Sequence, residues 1–347
     1  MAPFFFELFM HRHVPLVIAV TVFVAFVCAG MAMFLLPVGS SPVSQRDDHV
    51  VPATSVTETA PGFALSVTSS AFASLVMPSL DYLERVAGDP VLEPGEIGMR
   101  IPILMYHRIA PITAKTPLKE RRYMVTPESF TAQMESLVSA GYHTISADDL
   151  RRALTYGWDI LPSKPVILTF DDGFRDQYEY AFPVLKRLQM QATFFIISNV
   201  FSSPAHVTKD MIRDMDASGL ITIGSHTRHH VYLGKMGRTA ARSVEIKGSK
   251  EDLEKIVGHP IQTFAYPFGS WTEDVVREVE QAGYTLGFGV RLGSLQAGSS
   301  RFLIRRIPVA NRMAVVPLCD RFSAIPIAKT TKKTVKAASQ NTNTPVK

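Results

Sequence analysis

Two short stretches of the chain gather groups that can do chemistry. The first, "TFDDG" at residues 169–173, sets the carboxylates of Asp171 and Asp172 side by side, directly after the apolar run Val166, Ile167 and Leu168. Adjacent like charges at the mouth of a buried strand repel each other and are costly to desolvate. A plain turn would also account for them, because Asp bonds its own backbone and Gly accepts positive φ. The second stretch, "SHTRHH", follows the apolar "ITIG" and carries His226, His229 and His230. His226 and His230 are four apart, which puts them on one face of a helix and in a loop still lets both nitrogens reach one ion. One such pair alone is a weak signal. Two clusters that each follow an apolar run are a stronger one. Asp172, His226 and His230 together offer three ligands to a divalent metal and leave positions open for water and substrate. A cation there would offset the charge of Asp172 and leave Asp171 free to accept a proton.

The elements that must position these groups are readable from periodicity. Short apolar runs predict strands at 101–106, 143–146, 166–170, 193–197, 221–225, 263–266, 285–288 and 303–309. Between them lie helices with clear boundaries. One has Thr126 as N-cap, Pro127 in its first turn, Phe130, Met134 and Leu137 on one face, and Gly141 as its stop. Another runs from Thr208 through Met211 and Met215 to Gly219. A third starts at Thr272, sets Glu273 and Asp274 against the helix dipole, buries Val275, Val276 and Val279, and stops at Gly283. Strand and helix alternate about seven times, which predicts an α/β fold with a parallel sheet closed or nearly closed into a barrel. Chemistry in such folds sits at the C-terminal ends of strands, and both clusters fall there.

With these residues the chain resembles the polysaccharide deacetylases of carbohydrate esterase family four. Residues 169–173 match the family's first motif in full, and His226, Thr227 and His230, with Leu233 following, match its second. The resemblance spans roughly residues 100–310. It implies a distorted (β/α)7 barrel, Asp171 as general base, and Asp172, His226 and His230 as ligands of a divalent metal, zinc first, with nickel, cobalt and iron tolerated by the same donors. His229 falls between motif positions and reads as a surface or supporting residue. The third motif departs: Ala265 stands where the family has Arg, followed by Tyr266, Pro267 and Phe268. Arg306 is the candidate replacement for that cation, and the Phe268 backbone N–H is the candidate donor to a developing oxyanion. The family's late Leu-x-His motif is missing, since no histidine follows His259. Cleaving an amide needs a proton on the leaving nitrogen. His107, in "IPILMYHRI", is the candidate acid, and this opening resembles the branch acting on poly-N-acetylglucosamine, in which the motif order is permuted. Alternatively, His107 satisfies a buried hydrogen bond. The implied reaction removes N-acetyl groups from a polysaccharide that is poly-N-acetylglucosamine-like, chitin-like or peptidoglycan, and releases acetate. Trp271 and Tyr266 are candidates to stack on sugar faces. Two rivals remain: an O-acetyl esterase or non-sugar amidase on the same barrel, and a degenerate module that binds polysaccharide without cutting it.

The chain has 347 residues, 46% hydrophobic and 19% charged, enough for a large core. Its net charge of +5 owes much to Lys329, Lys332, Lys333, Lys336 and Lys347 in the tail. No basic stripe interleaved with aromatics argues for nucleic acid as a partner. Cys28 and Cys319 form no disulfide framework. Residues 14–36 carry no charge and are long enough to cross a hydrocarbon core of about 30 Å. An anchor is preferred to a signal peptide, because the run exceeds a typical h-region of about 7–15 residues, while Ala29, Gly30 and Ala32 leave cleavage open. His11, Arg12 and His13 precede the run and Asp47 and Asp48 follow it, which orients the N-terminus to the cytoplasm. The expected organisation is a cytoplasmic N-terminus (1–13), an inner-membrane anchor (14–36), a flexible linker (37–99) with at most one short helix near 80–86, the deacetylase-like domain (100–325) working in the periplasm or outside the cell, and a disordered basic tail (326–347).

Overall fold

The structure, a computed structural model, describes residues 89–237 and 240–324. The expected anchor at 14–36, most of the linker with its short helix, and the tail from 326 lie outside the described residues. Among the described residues no helix is long and apolar enough to cross a membrane.

Seven parallel strands form the frame: β1 (Ile103–Tyr106), β2 (Pro165–Phe170), β3 (Ala192–Ile196), β4 (Ile221–Ser225), β5 (Thr263–Ala265), β6 (Leu286–Phe288) and β7 (Ile307–Pro308). Their order across the sheet is β6, β5, β4, β3, β2, β1, β7. The short strand His143–Thr144 adds to β2 at Pro165 and Val166, off this path. The sheet curls until its two edges meet at one isolated bridge, Phe288 to Ile304, reinforced by Gly289 N donating to Ile304 O at 2.9 Å and Arg306 N to Arg291 O at 3.1 Å. The distortion of the barrel is therefore local. The run 303–309, expected as one strand, is divided between two neighbours, with Ile304 bridging to β6 and only Ile307–Pro308 laddering onto Leu104 and Met105 of β1.

Because side chains alternate along a strand, residue parity decides what enters the barrel. Ile103, Ile167, Phe195, Ala265, Leu286, Phe288 and Ile304 share one buried cluster inside the curl. Their alternates, among them Leu104, Leu168, Phe170, Phe194, Ile223 and Phe264, pack outward against the helices. Every residue of β2 is buried, as expected for a parallel strand covered on both faces. Extending the inward parity past each strand end reaches His107 after β1, Asp171 after β2 and His226 after β4. Arg306 shares the parity of Ile304.

The three helices read from the sequence form where it places them, and others join them. In α1 (Pro127–Ser139), Thr126 Oγ1 accepts from Ser129 N, and Phe130, Met134 and Leu137 are buried. α2 (Ala147–Tyr156) opens with a reciprocal Ser146–Asp149 capping box. α3 (Lys209–Ala217) and α4 (Ser249–Val257) pack on each other and on β4, and α5 (Glu273–Gln281) packs on the Val244–Gly248 segment. Val275 and Val279 of α5 are buried, whereas Val276 is only half-buried. Two pieces differ from the sequence reading. α6 (Val315–Ala324) is a further helix that buries Val315, Leu318, Cys319 and Phe322, with Cys319 free. Residues 89–99, assigned to the linker, pack on the domain: Met99–Arg100 pairs antiparallel with Leu295–Gln296, and Arg100 holds Asp89 at 2.6 Å.

Candidate active site

At the end of β2 the ladder runs one residue further, with Asp171 N donating to Tyr106 O at 3.0 Å, and then the chain reverses through left-handed Asp172 (φ 75°) and Gly173 (φ 69°). The turn and the site are thus one feature, since the turn holds the two carboxylates apart. Asp171 points into the barrel and is 2% exposed. The fully buried Arg306 grips it with two parallel bonds, Nη1 to Oδ1 at 2.7 Å and Nη2 to Oδ2 at 2.8 Å, while Nε donates to Gly289 O at 2.7 Å. Burial alone would raise the pKa of Asp171, but Arg306, His226 and His107 outweigh it and hold the carboxyl below its ordinary value. The guanidinium that the sequence lacks at Ala265 arrives from the segment before β7.

Asp172 turns the other way. Its Oδ1 lies 3.4 Å from His226 Nε2 and 3.2 Å from His230 Nε2, and the three ligand atoms fall within 4.8 Å of one another. That oxygen is buried, and neither contact has the geometry of a hydrogen bond. Ligands about 2.0–2.1 Å from a tetrahedral ion sit roughly 3.3–3.5 Å apart, and Asp172 Oδ1 lies at about that spacing from both nitrogens, so the three atoms offer a divalent cation a convergent donor set. His226 Nδ1 faces Ala265 O at 2.8 Å, which fixes the tautomer that turns Nε2 toward Asp172. Burial would push His226 down, yet Asp172 and Asp171 hold it above the usual imidazole value. Burial would raise Asp172, yet the two imidazoles hold it well below the carboxylate range. Four residues at this rim, Asp172 (φ 75°), Thr227 (65°), His230 (55°) and Phe268 (59°), are left-handed without being glycine. Such backbone persists only when its surroundings enforce it, and it clusters at functional sites. One enforcing contact is Thr227 Oγ1, which accepts from His230 N at 2.9 Å.

These groups line a cavity of about 670 Å³ together with His107, Arg108, Glu120, Tyr123, Phe174 and Val290. His107 is half-buried beside the Tyr123 ring, and burial lowers its pKa despite the nearby Asp171 and Asp172. Phe268 forms the opposite wall. Its exposed ring stacks on Tyr232 (3.9 Å between centroids, 6° between planes) and leans on His230 at 4.5 Å. Trp271 is exposed, but Tyr266 is fully buried against Phe264, so the expectation that it could stack on a sugar is corrected: its ring faces the core. His229 turns out of the cavity, with Nδ1 at 2.7 Å from Glu245 Oε1. Sequence reasoning missed Gln177, whose buried Nε2 donates to the backbone oxygens of Asp171 (2.5 Å) and His107 (2.6 Å) and ties the two strand ends together. Its signal was an amide six residues beyond Asp171, at the start of the wide helical turn Gln177–Ala181.

A family model described as polysaccharide deacetylase matches residues 159–287. YxkH of Bacillus subtilis, whose name is that of a polysaccharide deacetylase, is 31% identical over 217 residues, covering 62% of this chain and 73% of that protein. The chain belongs to the polysaccharide deacetylase family. Within it, the chain is 27% identical over 232 residues to the poly-β-1,6-N-acetyl-D-glucosamine N-deacetylase of Staphylococcus epidermidis, covering 60% of this chain and 78% of that one. The solved structure of the Streptococcus pyogenes deacetylase PplD in complex with acetate superposes with a TM-score of 0.59 at 28% identity, over 65% of this chain and 99% of that one. His107 and Arg306 both fall outside the residues matched by the family model, yet His107 lines the cavity and Arg306 grips the Asp171 carboxylate beneath it.

Proposed function

We propose that this chain removes N-acetyl groups from an extracytoplasmic polysaccharide of the poly-N-acetylglucosamine kind, leaving a free amine and releasing acetate. The observation that carries this reading is the pairing of two carboxylates with opposite assignments: Asp171 locked on Arg306, and Asp172 facing His226 and His230. Asp172, His226 and His230 would hold a divalent ion, zinc first, which when bound polarises the acetyl carbonyl and lowers the pKa of water toward about 7. Asp171, kept ionised and oriented by Arg306, accepts a proton from the attacking water. The Phe268 backbone N–H is the candidate donor to the oxygen on which charge develops. As the carbon–nitrogen bond breaks, His107 gives its proton to the departing sugar nitrogen. The exposed Phe268 ring offers an apolar face to a pyranose ring in the cavity, and the exposed Trp271 lines a second hollow that shares Val290 with it. The uncharged run 14–36 supports a membrane-anchored placement with this domain on the far side, within reach of a polymer.

The deciding experiment follows acetate release from N-acetylated poly-β-1,6-glucosamine oligomers and chitooligomers, with zinc present and after chelation. Zinc-dependent release by the native chain, with Asp171→Asn binding zinc normally but losing at least about 100-fold in turnover, is the expected result. Full turnover by Asp171→Asn would remove the base, and release unaffected by chelation would remove the metal.

A further inference from the structure

The loop that follows β4 carries two of the three proposed metal ligands, His226 at its start and His230 at its end, and both Thr227 and His230 are left-handed. Such a loop needs external restraint to keep the two imidazoles converging. On one side, Ser198 N and Asn199 N donate to the oxygens of Thr227 and Arg228, each at 3.1 Å. On the other stands a single buried carboxylate. Glu245 is 6% exposed, and its Oε2 accepts from two successive backbone amides, Arg228 N at 3.1 Å and His229 N at 2.9 Å, while Oε1 takes His229 Nδ1 at 2.7 Å.

The segment bearing Glu245 is unusual in its own right. Val244–Gly248 is wound as a π-helix just ahead of α4, and a wide turn of this kind is frequently found at functional sites. Gly248, at its end, lies against the Arg228 guanidinium, where an added Cβ would come within 3.4 Å of Nη1. Arg228 in turn forks onto Asp252 of α4 at 2.7 and 2.8 Å. Two consecutive N–H groups converging on one oxygen form a small anion-binding concavity, and here the anion belongs to the chain itself.

We propose that Glu245 is a positioning residue for the metal loop: by binding the backbone of Arg228 and His229 it sets the separation of His226 and His230, and so the affinity of the site for its ion. The reading rests on the metal triad proposed above. The bonds that matter are those to the two backbone amides, and the His229 imidazole is secondary. Glu245 touches neither substrate nor ion, so its loss changes metal binding and turnover while leaving substrate binding in place.

Calorimetric titration of zinc into the metal-free, full-length protein tests this, alongside metal-free thermal unfolding and acetate release at saturating zinc. Glu245→Ala is expected to weaken zinc binding about 10- to 100-fold, as loss of a residue that orients a ligand does, and to lower kcat with KM unchanged. Glu245→Gln keeps an oxygen for both amides and should stay within about threefold of native, as should His229→Ala. If Glu245→Ala fails to fold, Glu245→Asp carries the test, because its shorter side chain cannot reach both amides and should bind zinc about tenfold more weakly in a folded protein. Native zinc affinity in a folded Glu245→Ala or Glu245→Asp overturns the proposal, and so does a loss in His229→Ala equal to that in Glu245→Ala. A native chain that binds no zinc would instead bring down the metal reading on which this one stands.

Discussion

Asp171 and Arg306 are 135 residues apart in sequence and meet through two parallel bonds inside the barrel. Arg306→Gln removes the cation that depresses Asp171. The sign of the consequence follows: an opposite charge favours the ionised carboxyl, so its removal raises the pKa, and the acid limb of the kcat/KM profile, where the base becomes protonated, must move to higher pH. Leaving Asp171 buried and unpaired should also cost about 3–5 kcal/mol of stability, measurable by denaturant titration. A profile that did not move would show that Asp171 is not the titrating base. His107 is separable by the leaving group it serves. An amine departs poorly without a proton and an acetyl ester's alkoxide needs less help, so His107→Ala should lose about 100- to 10,000-fold in amide turnover and far less on a small acetyl ester. Equal losses on both substrates would point to a role in shaping the cavity.

The ends of the predicted strands made the position of the site legible at the level of elements, and the structure's strand parity explains it. Apolar runs ending at Tyr106, Phe170 and Ser225 give the register, and the next inward residue in each case is the one that faces the cavity. The family motifs named Asp171, Asp172, His226 and His230, the missing late histidine and the resemblance to the permuted branch pointed to His107, and the missing Arg at Ala265 pointed to Arg306. What stayed hidden has no periodic signature. Glu245 and Gln177 act on distant or local backbone through side-chain bonds, and the division of 303–309 between two neighbours is set by the closing bridge, not by the run itself. Tyr266 was misjudged because an aromatic beside a motif looks the same in sequence whether it faces solvent or core. The left-handed turn after β2 yields a test. Gly173 has φ 69°, and a Cβ there would lie 3.0 Å from Ile196 Cδ1. Gly173→Ala should therefore cost about 1–3 kcal/mol and, by shifting Asp172, weaken zinc binding. Unchanged calorimetric affinity with lowered stability would separate the turn from the metal.

Across the whole domain, the proposed ligands come from two strands that are not neighbours. Asp172 follows β2, His226 and His230 follow β4, and β3 lies between them with its Phe194 stacked on Phe170 of β2 at 4.5 Å. An ion held by these three side chains would tie the loops after β2 and β4 across the strand that separates them, so unfolding the sheet must release it. Binding of this kind stabilises the native state by mass action, about 2.7 kcal/mol at a free zinc concentration 100 times the Kd. For a domain of this size that corresponds to a rise in Tm of roughly 5–10 °C. Asp172→Asn removes the charged ligand while nearly preserving shape, and it should abolish the rise while leaving the metal-free Tm close to native. A comparison of melting curves with zinc and with chelator, for the native chain and this variant, checks both parts. If zinc raised the Tm of Asp172→Asn as much as that of the native chain, the ion would be binding elsewhere, and the ends of β2 and β4 would be joined only by packing.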